Sequence, residues 1–295
     1  MSWLSFQLAL DQLDPEQVEE ALLSAGAVSV TYEDAGDEPI YEPDPENMPL
    51  WSQTRMTGLF AADTDMDAVR ALLMAALKLT QLPQHRIEAL ADQDWSRVWL
   101  KDFKPMRFGE RVWICPTAYT PPEPDAVNIL LDPGLAFGTG THPTTALCLE
   151  WLDGLELDGR AVLDYGCGSG ILAIAAARLG ARSVRGVDND PQALTATRDN
   201  ARLNQVEAHV ATFAPDELPA VQADVLVANI LAGPLVELAP RLAGLLKPGG
   251  LLALSGILVD QETEIRDAYA AWFEFTGRAQ RGEWLRLEAR RLENA

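Results

Sequence analysis

The sequence has little cysteine, little histidine and no long apolar run. Its three cysteines, Cys115, Cys148 and Cys167, show neither disulfide pairing nor zinc-ligand spacing, and it has only three histidines. We therefore expect no metal site. No apolar run approaches the roughly 20 residues that cross a bilayer, and the N-terminus lacks a basic leader. These absences favour a reduced, cytoplasmic protein and argue against a membrane partner.

Basic residues are also scarce, above all in the first third of the chain. The net charge is −21; residues 1–95 hold 4 Lys and Arg against 18 Asp and Glu. Such a surface repels phosphate backbones, so direct nucleic-acid binding through this part is disfavoured. It would attract a basic protein and speed the encounter at low salt. General solubility is the alternative explanation of the acidity.

At 295 residues, 48% of them hydrophobic, the chain is long enough for two domains. Alternating apolar residues and helical stretches over residues 1–92 follow the order β-α-β-β-α-β. This order is typical of a small α+β, ferredoxin-like domain. Four hydrophobic residues then recur at helical spacing and predict a linker helix over 93–108: Trp95, Val98, Trp99 and Phe103.

Residues 109–295 are predicted to form a larger α/β domain. Short strands are expected at 111–115 and 127–131. From Trp151 onward, strands and helices alternate, which indicates a parallel sheet. Five such strands are expected at 161–165, 183–187, 208–212, 223–228 and 251–255. A final antiparallel pair, 273–278 and 284–290, completes a seven-stranded Rossmann-like sheet.

A glycine turn follows the first of these parallel strands. The strand ends in Asp164-Tyr165 and continues as Gly166-Cys167-Gly168-Ser169-Gly170 before a helix. Strand, glycine turn and helix N-terminus allow a ligand to approach the backbone closely. Asp188 follows the next strand, 22 residues after Gly166, where nucleoside-binding folds place the acid that holds a ribose. An ordinary β-α turn with a solvated Asp188 is the alternative.

The spacing of the turn distinguishes two cofactor classes. A dinucleotide fingerprint needs a glycine at position 171, where this chain has Ile171. The G-x-G-x-G pattern, with Asp164 before it, resembles the first motif of S-adenosylmethionine-dependent methyltransferases of Rossmann-like fold. In that family, the turn lies against the amino-acid part of the cofactor.

A loop from Phe137 to Thr145, rich in threonine and glycine, precedes the first parallel strand. It could fold over the methionine end of a cofactor, with Thr144 or Thr145 capping the following helix. His142 has a side chain suited to general-base catalysis. Because it stands before a proline in a tight loop, we interpret His142 as structural.

Asn229 ends the fourth parallel strand, at the sheet edge where open α/β folds bind ligands. Its amide oxygen could accept a hydrogen bond from an amine and align the lone pair, so Asn229 is the candidate catalytic residue. Amino-group methyltransferases commonly have Asn-Pro-Pro and an aromatic here, whereas this chain has Asn229-Ile230-Leu231. The departure weakens any prediction of specificity for a DNA base or glutamine; a simple strand-end cap is the alternative.

Three segments together resemble the bacterial ribosomal protein L11 methyltransferases (PrmA type): 131–145, 164–170 and 229–234. The resemblance runs over the full length and implies methylation of lysine ε-amino groups and the N-terminal α-amino group of that protein, with S-adenosyl-L-methionine as cofactor. It also implies that the 1–92 domain recognises the substrate. Separately, we expect a monomer.

By this resemblance, Thr145, Gly166, Asp188 and Asn229 match the family's cofactor contacts, and Asp164 and Gly168 belong to the same motif. Three alternatives stay open at this point. They are a methyltransferase of another basic protein or of RNA, a dinucleotide-dependent oxidoreductase, and a regulatory binding module.

Overall fold

The chain folds as two compact units, Met1–Val98 and Trp99–Ala295. The computed structural model describes residues 3–36, 38, 40, 49–90, 104–131, 141–220 and 222–293. Within these ranges, no helix is both long enough and apolar enough to span a membrane.

The first unit is a four-stranded antiparallel sheet with two helices. Its elements are β1 Trp3–Ala9, α1 Pro15–Ser24, β2 Ser29–Asp34, β3 Thr54–Ala61, α2 Met66–Ala76 and β4 His85–Leu90. The strand order is β2-β3-β1-β4, and each neighbouring pair is antiparallel. The element order predicted from the sequence is present in these described residues.

Apolar side chains that alternate with polar ones along the strands form the core of the first unit. Phe6 and Leu8 of β1 are fully buried, as are Val18 of α1 and Leu73 of α2, and all four belong to one hydrophobic cluster. The Asp14 side chain caps the N-terminus of helix α1, where its Oδ1 accepts a hydrogen bond from the Gln17 N–H at 3.0 Å.

The second unit begins with a short sheet of three strands, β5 Met106–Phe108, β6 Val112–Cys115 and β7 Val127–Leu130. The linker helix predicted over 93–108 lies largely outside the described residues, and its last part is wrong: Met106–Phe108 is a strand, paired antiparallel with β6. The reason is the turn that follows, in which Gly109 has φ +65° and Asp153 accepts hydrogen bonds from two backbone N–H groups. Cross-strand pairing is preferred to continued helix there.

The rest of the second unit alternates helix and strand. Its elements are α3 Pro143–Asp153, β8 Ala161–Tyr165, α4 Ile171–Arg178, β9 Ser183–Val187, α5 Pro191–Leu203, β10 Val210–Phe213, β11 Ala223–Asn229, α6 Ala232–Leu245, β12 Leu246–Leu258, α7 Glu262–Tyr269, β13 Phe273–Arg281 and β14 Trp284–Arg291. The strand order is β10-β9-β8-β11-β12-β14-β13.

In this seven-stranded sheet, the first five strands in spatial order are parallel and the last two are antiparallel to their neighbours. Side chains of β8 alternate between two cores, with Val162 in one and Leu163 and Tyr165 in the other. Both faces of the sheet are therefore covered, which is the usual condition of parallel strands. Ligands of such sheets bind at the carboxyl ends of the strands.

Candidate functional site

The glycine turn lies directly after β8 in a backbone conformation that favours glycine. The φ angles of Gly166, Gly168 and Gly170 are +82°, +54° and +81°, a region in which other L-residues are strained. The N–H groups of Gly166 and Cys167 donate to the Val187 carbonyl, at 2.7 and 3.0 Å. These bonds attach the turn to the carboxyl end of β9.

Helix α5 supports the same turn through two side chains that sequence reasoning missed. Thr197 Oγ1 donates to the Gly168 carbonyl at 3.1 Å, and Asn200 Nδ2 donates to the Ser169 carbonyl at 2.8 Å. The sequence gives no sign of these contacts, because polar residues on an amphipathic helix ordinarily face solvent.

Asp188 lies beside the turn, as its spacing in the sequence predicts. Its Oδ2 accepts a hydrogen bond from the Gly168 N–H at 2.9 Å, and its Oδ1 accepts one from the Asp190 N–H at 3.0 Å. Each carboxylate oxygen has a second lone pair, so the fixed carboxylate can still accept bonds from a ligand.

Asp164 is fully buried near the end of β8. Its Oδ2 accepts a hydrogen bond from the Ala173 N–H in α4 at 2.9 Å; its Oδ1 has no partner among the described residues. Burial raises the pKa of Asp164 to about 7; the bond from Ala173 opposes this rise and the charge of Asp188 adds to it. Asp164 therefore joins β8 to α4 from inside the protein.

Asn229 ends β11 and contacts helix α3. Its Nδ2 donates to the hydroxyl of Thr145 at 3.3 Å. Thr145 is fully buried, whereas Asn229 is partly exposed. Since the amide nitrogen is directed to Thr145, the amide oxygen is the atom of this side chain that can accept a hydrogen bond from an amine.

A cavity of about 660 Å³ lies at the carboxyl ends of β8, β9 and β11. This size is typical of small-molecule sites. Its wall brings together four of the predicted site residues, Gly166, Gly168, Asp188 and Asn229. The other two, Thr145 and Asp164, have no exposed surface and lie behind that wall.

His142 also lines the cavity, and it caps helix α3 in place of the two threonines suggested by the sequence. Its Nδ1 accepts a hydrogen bond from the Thr144 N–H at 3.4 Å. Pro143 explains the shift, because proline suits the first helical position and so makes the residue before it, His142, the cap. Burial lowers the pKa of His142. Residues 137–140 of the predicted threonine loop lie outside the described residues.

Sequence reasoning also missed several residues of the cavity wall, among them Arg241, Gly256 and Trp284. Gly256 interrupts an apolar strand, a usual sign of a bulge or of close backbone approach, so it could have been found. Arg241 and Trp284 carry no such sign, because only the packing of α6 and of the last hairpin brings them to the cavity.

The remaining chemistry of the described residues does not suggest another catalytic site. The first unit has an open cavity of about 470 Å³ at one end of its sheet, lined mainly by strand and loop residues such as Gln7, Gln84 and Arg86. Among the described ranges, no group of three or more His, Cys, Asp and Glu could hold a metal ion.

A parallel sheet with a glycine turn after one strand, an acid after the next and an amide at the fourth strand end is the arrangement of an α/β protein that binds its ligand at the carboxyl ends of the strands. A family model described as ribosomal protein L11 methyltransferase (PrmA) matches residues 2–292. The chain belongs to the ribosomal protein L11 methyltransferase family.

Individual relatives agree with this assignment. A protein named ribosomal protein L11 methyltransferase from Pseudomonas paraeruginosa is 61% identical to this chain over 292 residues, which cover 99% of each chain. One of the same name from Pseudomonas putida is 58% identical over 292 residues, which cover 99% of this chain and 100% of that one. The crystal structure of the ribosomal protein L11 methylase from Lactobacillus delbrueckii subsp. bulgaricus has a TM-score of 0.58 and 34% identity. It covers 64% of this chain and 100% of that one.

Proposed function

We propose that this protein transfers methyl groups from S-adenosyl-L-methionine to lysine ε-amino groups and the N-terminal α-amino group of ribosomal protein L11. The observation that carries the proposal is the shared cavity wall, which holds the glycine turn and Asp188 beside Asn229. A donor at the turn and an amine at Asn229 would be neighbours. The family of this chain supports ribosomal protein L11 as the owner of that amine.

The cofactor site would be formed by Gly166, Gly168, Asp188 and Asn229. The open backbone of the turn would lie against the amino-acid part of the cofactor, and the free lone pairs of Asp188 would accept the ribose hydroxyls. When bound, S-adenosyl-L-methionine supplies an electrophilic methyl group on a positive sulfonium. Thr145 and Asp164 would act from behind the wall. Thr145 would hold Asn229 in place, and Asp164 would join β8 to α4.

A nicotinamide cofactor fits this turn less well. The dinucleotide fingerprint requires glycine at position 171, for close packing of helix against strand. Ile171 occupies that position in the first turn of α4 and is 2% exposed, so a large side chain already fills the space.

On the substrate side, the protein mainly has to position and desolvate an amine. In-line attack by a neutral amine depends chiefly on orientation. The amide oxygen of Asn229 and the Ile230 carbonyl would accept the N–H groups of the amine and direct its lone pair to the methyl group. Because much of the wall is apolar, including Leu231 and Leu238, burial there would lower the pKa of a lysine and favour proton loss to water.

The two units support a division of labour. The antiparallel order β2-β3-β1-β4 supports a ferredoxin-like domain over 1–92, and the seven-stranded sheet supports a Rossmann-like catalytic domain over 109–295. We propose that the acidic domain captures the basic substrate, that the 93–108 segment links the two, and that the enzyme works in the cytoplasm as a monomer.

Labelling with radioactive S-adenosyl-L-methionine tests this function. The full-length protein is incubated with total ribosomal protein and, separately, with ribosomal RNA. We expect one labelled basic protein band, identified as L11 by mass spectrometry. Label in RNA, or in another protein alone, would contradict the proposal. Calorimetry with S-adenosylhomocysteine and NAD side by side tests the cofactor, and binding of NAD alone would overturn that assignment.

A further inference from the structure

Ile230 lies between two glycines of the cavity wall. A Cβ atom placed on Gly166 would lie 2.2 Å from Ile230 Cγ2. One placed on Gly256 would lie 2.2 Å from the Ile230 carbonyl oxygen and 2.8 Å from its carbonyl carbon. The side chain of Ile230 is therefore packed on the glycine turn, and its carbonyl is packed on β12.

Both glycines occur at irregular points of the backbone. Gly166 has φ +82° in the turn after β8, and Gly256 has φ +84°. Gly256 also falls at a shift in the pairing of β12 with β14, between Ser255 and Ile257. Such bulges bend a strand locally, and this one allows the β12 backbone to approach Ile230.

We propose that Ile230 is a positioning residue that fixes the distance between the cofactor turn and the carbonyl that orients the amine. Its side chain contacts the turn on the donor side, and its carbonyl meets Gly256 on the acceptor side. This role rests on the proposed function. Methyl transfer demands close alignment of donor and acceptor, and a misplacement of about 1 Å can slow a reaction about 100-fold.

The acceptor side is tested with Gly256→Ala. The added methyl group meets backbone atoms of Ile230, which no side-chain rotation can move aside. We expect kcat for methylation of ribosomal protein L11 to fall about 100-fold, while the affinity for S-adenosylhomocysteine, measured by calorimetry, changes little. Gly159→Ala is the matched control, because Gly159 has φ +71° with open space around it; that variant should keep wild-type activity.

The donor side is tested with Gly166→Ala in three backgrounds. Alone, the substitution should weaken S-adenosylhomocysteine binding, through backbone strain and the collision with Ile230 Cγ2. Adding Ile230→Ala removes that methyl group and should restore the affinity about tenfold, as coupled neighbours do. Adding Ile230→Val should restore little, because valine keeps a methyl group at the Cγ2 position. Ile230→Ala should not rescue Gly256→Ala.

Wild-type kcat in Gly256→Ala would overturn the proposal, as would equal rescue of Gly166→Ala by alanine and valine. If Gly256→Ala fails to fold, as judged by circular dichroism, the proposal is still tested by the mutant cycle, that is, by Gly166→Ala alone and combined with each Ile230 substitution. That cycle needs no ribosomal protein. Failure of the wild type to methylate L11 would therefore count against the proposed function, whereas failure of the cycle would count against Ile230.

Discussion

The amide nitrogen of Asn229 donates a hydrogen bond to the hydroxyl of Thr145 at 3.3 Å, although 84 residues separate the two in the chain. The bond links the end of β11 to the first turn of α3. Since Thr145 is fully buried, its hydroxyl does not reach a ligand in the cavity and would act on the reaction through Asn229.

Replacing Asn229 by alanine removes the proposed acceptor of the amine. We expect turnover of ribosomal protein L11 to fall at least about tenfold, the value of one hydrogen bond near 1.4 kcal/mol, and cofactor affinity to fall with it. Steady-state kinetics and calorimetry measure the two effects. If both quantities stay at their wild-type values, Asn229 has neither role.

Thr145→Val keeps the shape of the side chain but removes the hydroxyl that holds Asn229. We expect a loss of turnover in the wild-type background and almost none in Asn229→Ala, because the two residues would act as one unit. Thr145→Ser retains the hydroxyl and is the control. Equal losses in the valine and serine variants would instead point to packing of the threonine methyl group.

Asp188→Ala removes the carboxylate beside the glycine turn. A hydrogen bond to a charged group contributes about 1.5–3 kcal/mol, so the Kd for S-adenosylhomocysteine should rise about 10- to 100-fold. Asp190→Asn changes the charge by the same amount two residues away, where the side chain caps α5. An equal loss in both variants would indicate a general charge effect in place of a ribose contact.

Asp164→Asn should change how stability depends on pH. The pKa of Asp164 is raised to about 7 in the folded protein, against about 3.9 in an unfolded chain. Between these values the unfolded state releases the proton and the folded state keeps it, so the contribution of Asp164 to stability falls as pH rises. As pH rises, the free energy of unfolding of Asp164→Asn should therefore increase relative to that of the wild type, by on the order of 4 kcal/mol at pH 7. Denaturant unfolding from pH 4 to 8 measures this, and a constant difference would refute it.

Removal of residues 1–92 should abolish methylation of ribosomal protein L11 and spare cofactor binding. The residues proposed to bind the cofactor all belong to the second unit, whereas the acidic surface proposed to capture the substrate belongs to the first. Filter binding of labelled product and calorimetry separate the two outcomes. Undiminished methylation by the truncated protein would remove the recognition role from that domain.

Local sequence patterns were sufficient to predict much of the structure of the second unit. The glycine turn, its two flanking strands and Asp188 were predictable, because an apolar run, glycine punctuation and helical periodicity are all short-range signals. The strand at Met106–Phe108 was not. Its three residues are too few to show a period, and their conformation depends on pairing with β6.

The sequence by itself determined the glycine turn, the acid beside it and the amide at the fourth strand end, since each follows from residue type and spacing. Only the tertiary structure decided that Thr145 and Asp164 lie behind the wall, and that Ile230 is packed between Gly166 and Gly256. The physical reason is sheet register. The pairing of β8 with β11, and of β11 with β12, brings together backbone segments that no local pattern relates.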